Sequence, residues 1–150
     1  RFEQARAVMI DTNPSQRRVL ATNRAMMGVR TGDYHLVREE LQTLENVPVG
    51  SRQDTTVLAD AARLFLALDS DNLRDAGAIA RRLEEVDLSF PFSSDLSLVP
   101  EAVSEFYRAT GDSRRAVAVL RAGILHMAPH NVPAARWLEG RLSRSLDGSS

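Results

Sequence analysis

His126 and His130 stand four residues apart, the spacing that places two imidazoles on one helix face for zinc. Pro129 falls between them, where it ends a helix, and neither a cysteine nor a glutamate beside His126 completes a metalloprotease motif. No metal is expected there. His35 is alone on a polar helix start and is read as solvated. Asp69, Asp71 and Asp75 match the opening of a calcium loop, but Arg74 takes the place of its sixth-position glycine and Ala80 that of its final glutamate. That shell cannot close, and the acids read as a capped turn. Cysteine is absent, which removes thiolate nucleophiles, disulfides and thiolate metal sites. All 19 basic residues are arginine, which removes Schiff-base and phosphate-loop lysines. The glycines form neither G-x-G-x-x-G nor G-x-S-x-G. With no nucleophile, base and orienting group to assemble, the expectation is a non-enzymatic chain with no cofactor.

What remains is the chemistry of recognition. Glu101, Glu105 and Arg108 form the polar face of a helical pattern. The other side carries Val99, Ala102, Val103, Phe106, Tyr107 and Thr110 at the spacing of a buried face. The charged group is therefore expected to face solvent. Phe90-Pro91-Phe92 lies in the longest unpatterned stretch, Asp87 to Ser97, and offers either a docking knob or two rings folded back over the core. The second reading is favoured. Arg81-Arg82 and Arg114-Arg115 read as outward charges, with Arg81 placed to pair with Glu85 four residues on.

The charge balance narrows the partner. Nineteen basic and 20 acidic side chains leave a net charge of -1, without the basic surface that phosphate neutralisation needs. No run approaches the roughly 18 apolar residues of a spanning helix, and the most apolar segment, Val57 to Leu68, is broken by Asp60 and Arg63. Neither nucleic-acid binding nor direct membrane insertion is expected. A length of 150 residues with 43% apolar side chains fits one domain, 1–150. The chain opens on Arg1 with Phe2 already inside an amphipathic pattern that runs to Ile10, so it reads as a piece of a longer protein. The arginine-only basic set points to a GC-rich, bacterial-type genome, and the compartment stays open.

These residues need elements to hold them, and the elements are helical throughout. Asn13-Pro14-Ser15-Gln16 opens a helix that runs to about Arg30, Gly32-Asp33-Tyr34 turns the chain, and Tyr34, Val37, Leu41 and Leu44 line the return. Ser51 with Asp54 opens a second pair, in which the helix from Arg52 to Leu68 is apolar nearly all round and is expected to be the core. Asp69-Ser70-Asp71-Asn72 turns it into a helix lined by Ala76, Ile79, Ala80, Leu83 and Val86. Val99 to Met127 forms the clearest pair, broken at Gly111-Asp112, with Ala116, Val119, Leu120, Gly123, Ile124 and Met127 on its second stripe. Asn131 to Leu146 adds a closing helix on Ala134, Leu138 and Leu142, with Trp137 beside them. No segment alternates apolar and polar residues as a strand would.

The turn markers Gly32, Asp71 and Gly111 are 39 and 40 residues apart, a period in the range of helical solenoids. Tyr107, Gly111-Asp112, Ala116 and Gly123 stand at the spacing of the tetratricopeptide repeat, and Gly32-Asp33-Tyr34 matches its turn, so the chain resembles a divergent member of that family. The resemblance implies an all-α, right-handed stack of about three antiparallel helix pairs, with a partial helix in front and a closing helix behind. It places the ligand-facing positions on Val19, Thr22, Met26, Val29 and Arg30, then on Leu58, Ala61, Phe65, Leu68 and Asp69. In the third pair they fall on Leu98, Glu101, Glu105, Arg108 and Ala109. The expected function is a scaffold of a bacterial multiprotein assembly. It would hold a peptide or helix of another protein against Met26, Val29, Phe65, Leu68, Glu101, Glu105 and Arg108. The partner would set a basic residue against Glu101 and Glu105. The alternative is a carbohydrate- or small-ligand-binding helical module of a bacterial envelope or sensory protein, which would want exposed aromatics such as Trp137 and Tyr34.

Overall fold

The computed structural model describes residues 14–46, 53–86 and 96–147, which form seven α-helices with no strand among the described residues. The helices are α1 (Pro14–Thr31), α2 (Tyr34–Glu45), α3 (Gln53–Asp69), α4 (Leu73–Glu84), α5 (Leu98–Ala109), α6 (Ser113–Met127) and α7 (Val132–Asp147). The class is all-α, and the helices expected from Pro14 onward are present. The expected features at Phe2 to Ile10, at Asn13 and Ser51, and at Phe90-Pro91-Phe92 lie outside the described residues.

Three turns are copies of one another. Gly32, Asp71 and Gly111 take left-handed φ values of 74, 57 and 83°. The next residue then donates its backbone N–H back into the helix just ended: Asp33 to Gly28, Asn72 to Ala67 and Asp112 to Tyr107, each at 2.8 Å. That bond closes a helix C-terminus on a left-handed residue. The same residue caps the following helix, Asp33 accepting from the Leu36 N–H at 3.1 Å, Asn72 from Asp75 at 3.3 Å and Asp112 from Arg115 at 3.1 Å. Nothing would touch a Cβ at Gly111, so only backbone conformation penalises a side chain there. Gly111→Ala is expected to cost about 1 kcal/mol. Gly140→Ala, inside α7 with 3.6 Å to its nearest neighbour, is expected to add up to about 1 kcal/mol. Urea denaturation of both variants checks the opposite signs.

The turns pair α1 with α2, α3 with α4 and α5 with α6, while α7 lies on α6. The first helices of the pairs also pack side by side, α1 on α3 and α3 on α5. The middle one, α3, is buried on two faces. Val57, Leu58, Ala61, Leu64 and Phe65 enter a large cluster with residues of α4 to α7, whereas Ala59 and Ala62 join Ala21, Ala25, Val37, Leu41 and Leu44 of the first pair. Inside that pair the Arg24 Nε donates to the fully buried Glu40 at 3.0 Å. At the other end Gly123 of α6 brings two helices close, since a Cβ there would meet Pro100 of α5 at 2.9 Å and Leu138 of α7 at 3.1 Å.

Two expectations are corrected. Thr110 is exposed, its hydroxyl donating to the Phe106 and Tyr107 carbonyls, because it is the C-terminal cap of α5 and lies past the packed turns. Arg81 makes no pair with Glu85, because Glu85 is the cap of α4 and the arginine Nε donates to the Gly77 carbonyl at 3.2 Å.

Candidate functional site

The last turns of α1 and α3, one side of α5 and one side of α7 meet around a cavity of about 650 Å³. From α1 come Val29 and Arg30, from the start of α2 Tyr34, and from α3 Phe65, Leu68 and Asp69. The third pair supplies Glu101, Glu105 and Arg108, and the closing helix supplies Trp137, Arg141 and Arg144. Six of the seven residues expected to form a binding face therefore line one space. Met26 does not, because it packs half-buried against the core. The other positions assigned by resemblance divide the same way. Thr22, Leu58, Ala61 and Leu98 are buried between helices and do not line the space.

The polar side chains of this cavity hold one another. Glu101 is only 5% exposed. Its Oε1 accepts from Arg30 at 2.8 Å and from the Trp137 Nε1–H at 3.0 Å, while Arg141 lies 3.4 Å from Oε2. Arg141 also donates to Glu105, as does Arg108 at 3.2 Å. Arg30 donates a second bond to the Ser97 hydroxyl at 3.3 Å, and its guanidinium lies 4.1 Å from the centroid of the Trp137 ring. A carboxylate this buried is costly unless it is paired and hydrogen-bonded, and here Oε1 accepts two bonds while Oε2 faces the Arg141 guanidinium.

This corrects the expectation that Glu101 and Glu105 face solvent. The helical period of α5 is right, but α7 and the end of α1 fold across its polar side and bring three partners that spacing within α5 does not announce. It also revises the expected basic contact, because Glu101 and Glu105 already have arginines of this chain. Four arginines face three carboxylates around the cavity. Arg30, one of the positions assigned by resemblance, lines the space, whereas Trp137, Arg141 and Arg144 of the closing helix were not expected on the peptide-binding face. Trp137, Arg141 and Arg144 recur at i, i+4 and i+7 on the closing helix, which is one face of it.

Tyr34 titrates above its ordinary value of 10, first because it is partly buried and then because Asp69, Glu105 and Glu101 are near. Tyr107 is raised by burial and by the bond its hydroxyl donates to Glu84 at 2.6 Å. A raised tyrosine value means that the folded chain keeps its proton longer than the unfolded one. The contribution is intact below pH 10 and is lost as the pH climbs through the folded-state value. With no lysine in the chain and only these two tyrosines, little else titrates in that window. The expected outcome is a denaturation midpoint that falls above about pH 10, with a shallower fall in Tyr34→Phe and in Tyr107→Phe.

Elsewhere His126 and His130 are exposed, His35 lies in solvent with its Nε2 2.9 Å from Glu39, and no metal-holding group of acids and histidines occurs among the described residues. No described helix is long and apolar enough to cross a membrane. A second, mostly apolar groove of about 310 Å³ runs between α4 and α6 over Val99, Pro100 and Val103. Comparison of the chain with family models, with curated proteins and with solved structures finds no match.

Proposed function

We propose that the chain is a non-enzymatic protein-interaction module, a right-handed tetratricopeptide-like stack whose cavity, between the last turns of α1 and α3 and one side each of α5 and α7, holds a segment of another protein in a bacterial assembly. The observation that carries this reading is the convergence of Val29, Phe65, Leu68, Glu101, Glu105 and Arg108 on one space from three successive helix pairs. Three identical turns and the side-by-side order of α1, α3 and α5 support the repeat. Such a surface binds by pairing an apolar anchor with a charged rim, the anchor supplying affinity and the rim specificity and association rate. Val29, Phe65 and Leu68 form the apolar floor, and Asp69, Arg108 and Arg144 are exposed around it. A sugar-binding module would want a bare aromatic platform. The Trp137 ring, 43% exposed, instead carries Arg30 over its face.

The test uses the half-buried Leu68, at the mouth of the cavity, and Val119, half-buried on the α4–α6 side. Proteins captured by the wild-type chain from the source cells are titrated against Leu68→Asp and Val119→Asp, with circular dichroism confirming each fold. Leu68→Asp is expected to weaken binding about tenfold or more and Val119→Asp to leave it unchanged. The reverse pattern moves the site to the opposite groove and ends this reading.

A further inference from the structure

The polar cluster contains a complete receptor for one guanidinium group. The Trp137 ring supplies an aromatic face at 4.1 Å, Glu101 a carboxylate oxygen at 2.8 Å and Ser97 a hydroxyl at 3.3 Å, all directed at Arg30. A flat cation with hydrogen-bond donors at its edge and a π-binding face matches those three groups. None of them belongs to the helix that provides the occupant. Ser97 and Glu101 stand at the start of α5, Trp137 on α7 and Arg30 in the last turn of α1.

The receptor is also organised without its occupant. Glu101 is held from α7 by the Trp137 Nε1–H and by Arg141, so its carboxylate and the indole stay in register if Arg30 departs. A site whose parts are fixed beforehand binds with little ordering cost. Arg30 itself is the looser partner. Its side chain is 24% exposed against 7% for Glu101, and it opens onto the same cavity as Leu68 and Phe65.

We infer that Glu101, Trp137 and Ser97 form an arginine-binding seat, that Arg30 fills it as an internal placeholder, and that an arginine of the bound segment displaces Arg30. This rests on the reading of the cavity as the partner-binding face. Recognition then has a physical order. An apolar residue of the segment settles on Phe65 and Leu68, and its arginine, now held close, competes with Arg30 for the seat on equal terms of proximity. A lone arginine lacks that second attachment and competes poorly while Arg30 is present. The apparent affinity of the seat is reduced by the fraction of time that Arg30 leaves it vacant.

Trp137 is the only tryptophan, so its indole emission and its single indole N–H resonance both report on the seat. The probes are N-acetyl-arginine amide and N-acetyl-citrulline amide, which has nearly the same shape without the charge. In Arg30→Gln the arginine probe is expected to give a saturable change in both signals, at concentrations about tenfold or more below those the wild type requires. The citrulline probe is expected to give none in either protein. Arg30→Lys, which keeps the charge and loses the flat fork, replaces Arg30→Gln if the latter loosens the fold, and the wild-type resonance titration is independent of both. Equal responses to arginine and citrulline, or equal concentrations for wild type and variant, overturn the placeholder. No response in either protein, with partner capture still abolished by Leu68→Asp, removes the arginine seat and leaves the cavity as the binding face. Seat binding in Arg30→Gln together with capture indifferent to Leu68→Asp removes the shared footing of both.

Discussion

Glu101→Ala lowers the unfolding free energy by about 3 kcal/mol and the thermal midpoint by about 10 °C. The loss is larger than that of any one hydrogen bond because the carboxylate is a shared acceptor. Its removal leaves Arg30 with no anionic partner and the Trp137 indole N–H with no acceptor, while Arg141 keeps only Glu105. Breaking a buried pair from one side costs roughly 3 to 5 kcal/mol, and the low end applies because the Arg30 and Arg141 side chains are about a quarter exposed. Glu105→Ala, at a carboxylate that is 27% exposed, is expected to cost about 1 kcal/mol. Thermal denaturation of both variants at low and moderate salt checks the ranking. Equal small losses would mean that Glu101 is bonded without being relied upon.

Gly123→Leu is expected to destabilise by about 3 kcal/mol or to abolish the folded state, and Gly123→Ala by about 1 to 2 kcal/mol. The reason is geometric. A single added carbon would sit 2.9 Å from both Cβ and Cγ of Pro100, atoms of a ring that cannot rotate away, and 3.1 Å from the end of the Leu138 side chain. Helix α6 must therefore separate from α5, from α7 or from both. Ala116→Leu, at a 1% exposed position on the same face, belongs to the same class, while Ser143→Leu on the exposed side of α7 should change little. Denaturant midpoints of the four variants measure the difference. A negligible effect at Gly123 would place the α5–α6 contact elsewhere.

The fold was legible where local chemistry decides it. Gly32-Asp33-Tyr34, Asp69-Ser70-Asp71-Asn72 and Gly111-Asp112 announce turns, and each is a turn on a left-handed residue followed by a cap. The nearly continuous apolar run from Val57 to Phe65 announces a helix touched on more than one side, and α3 has that position. The cavity was legible in part, since Val29, Phe65, Leu68, Glu101, Glu105 and Arg108 share it as the resemblance to the repeat implies. Whether a given position faces water was not, because that depends on partners far along the chain. Glu101 looks solvent-facing from α5 alone, and the residues that cover it lie 71 positions before it and 36 after it. Thr22 and Leu58 fail in the same sense, expected on the open face yet buried between helices.

The distance in sequence between Arg30 and Glu101 also bears on how fast the native state forms and decays. Each helix pair is closed by contacts within a few residues of its turn, and such structure forms early. The bond from Arg30 to Glu101 closes a loop of 71 residues and needs α7 in position as well, so it can form only after most of the helices have assembled. Interactions made after the rate-limiting step do not speed folding. They slow the reverse reaction. The lifetime of the native chain is then governed by a small charged cluster between α1, α5 and α7, while its rate of formation is governed by the apolar pairs. Ionic strength, which screens the first and spares the second, should shorten that lifetime without changing the time needed to refold.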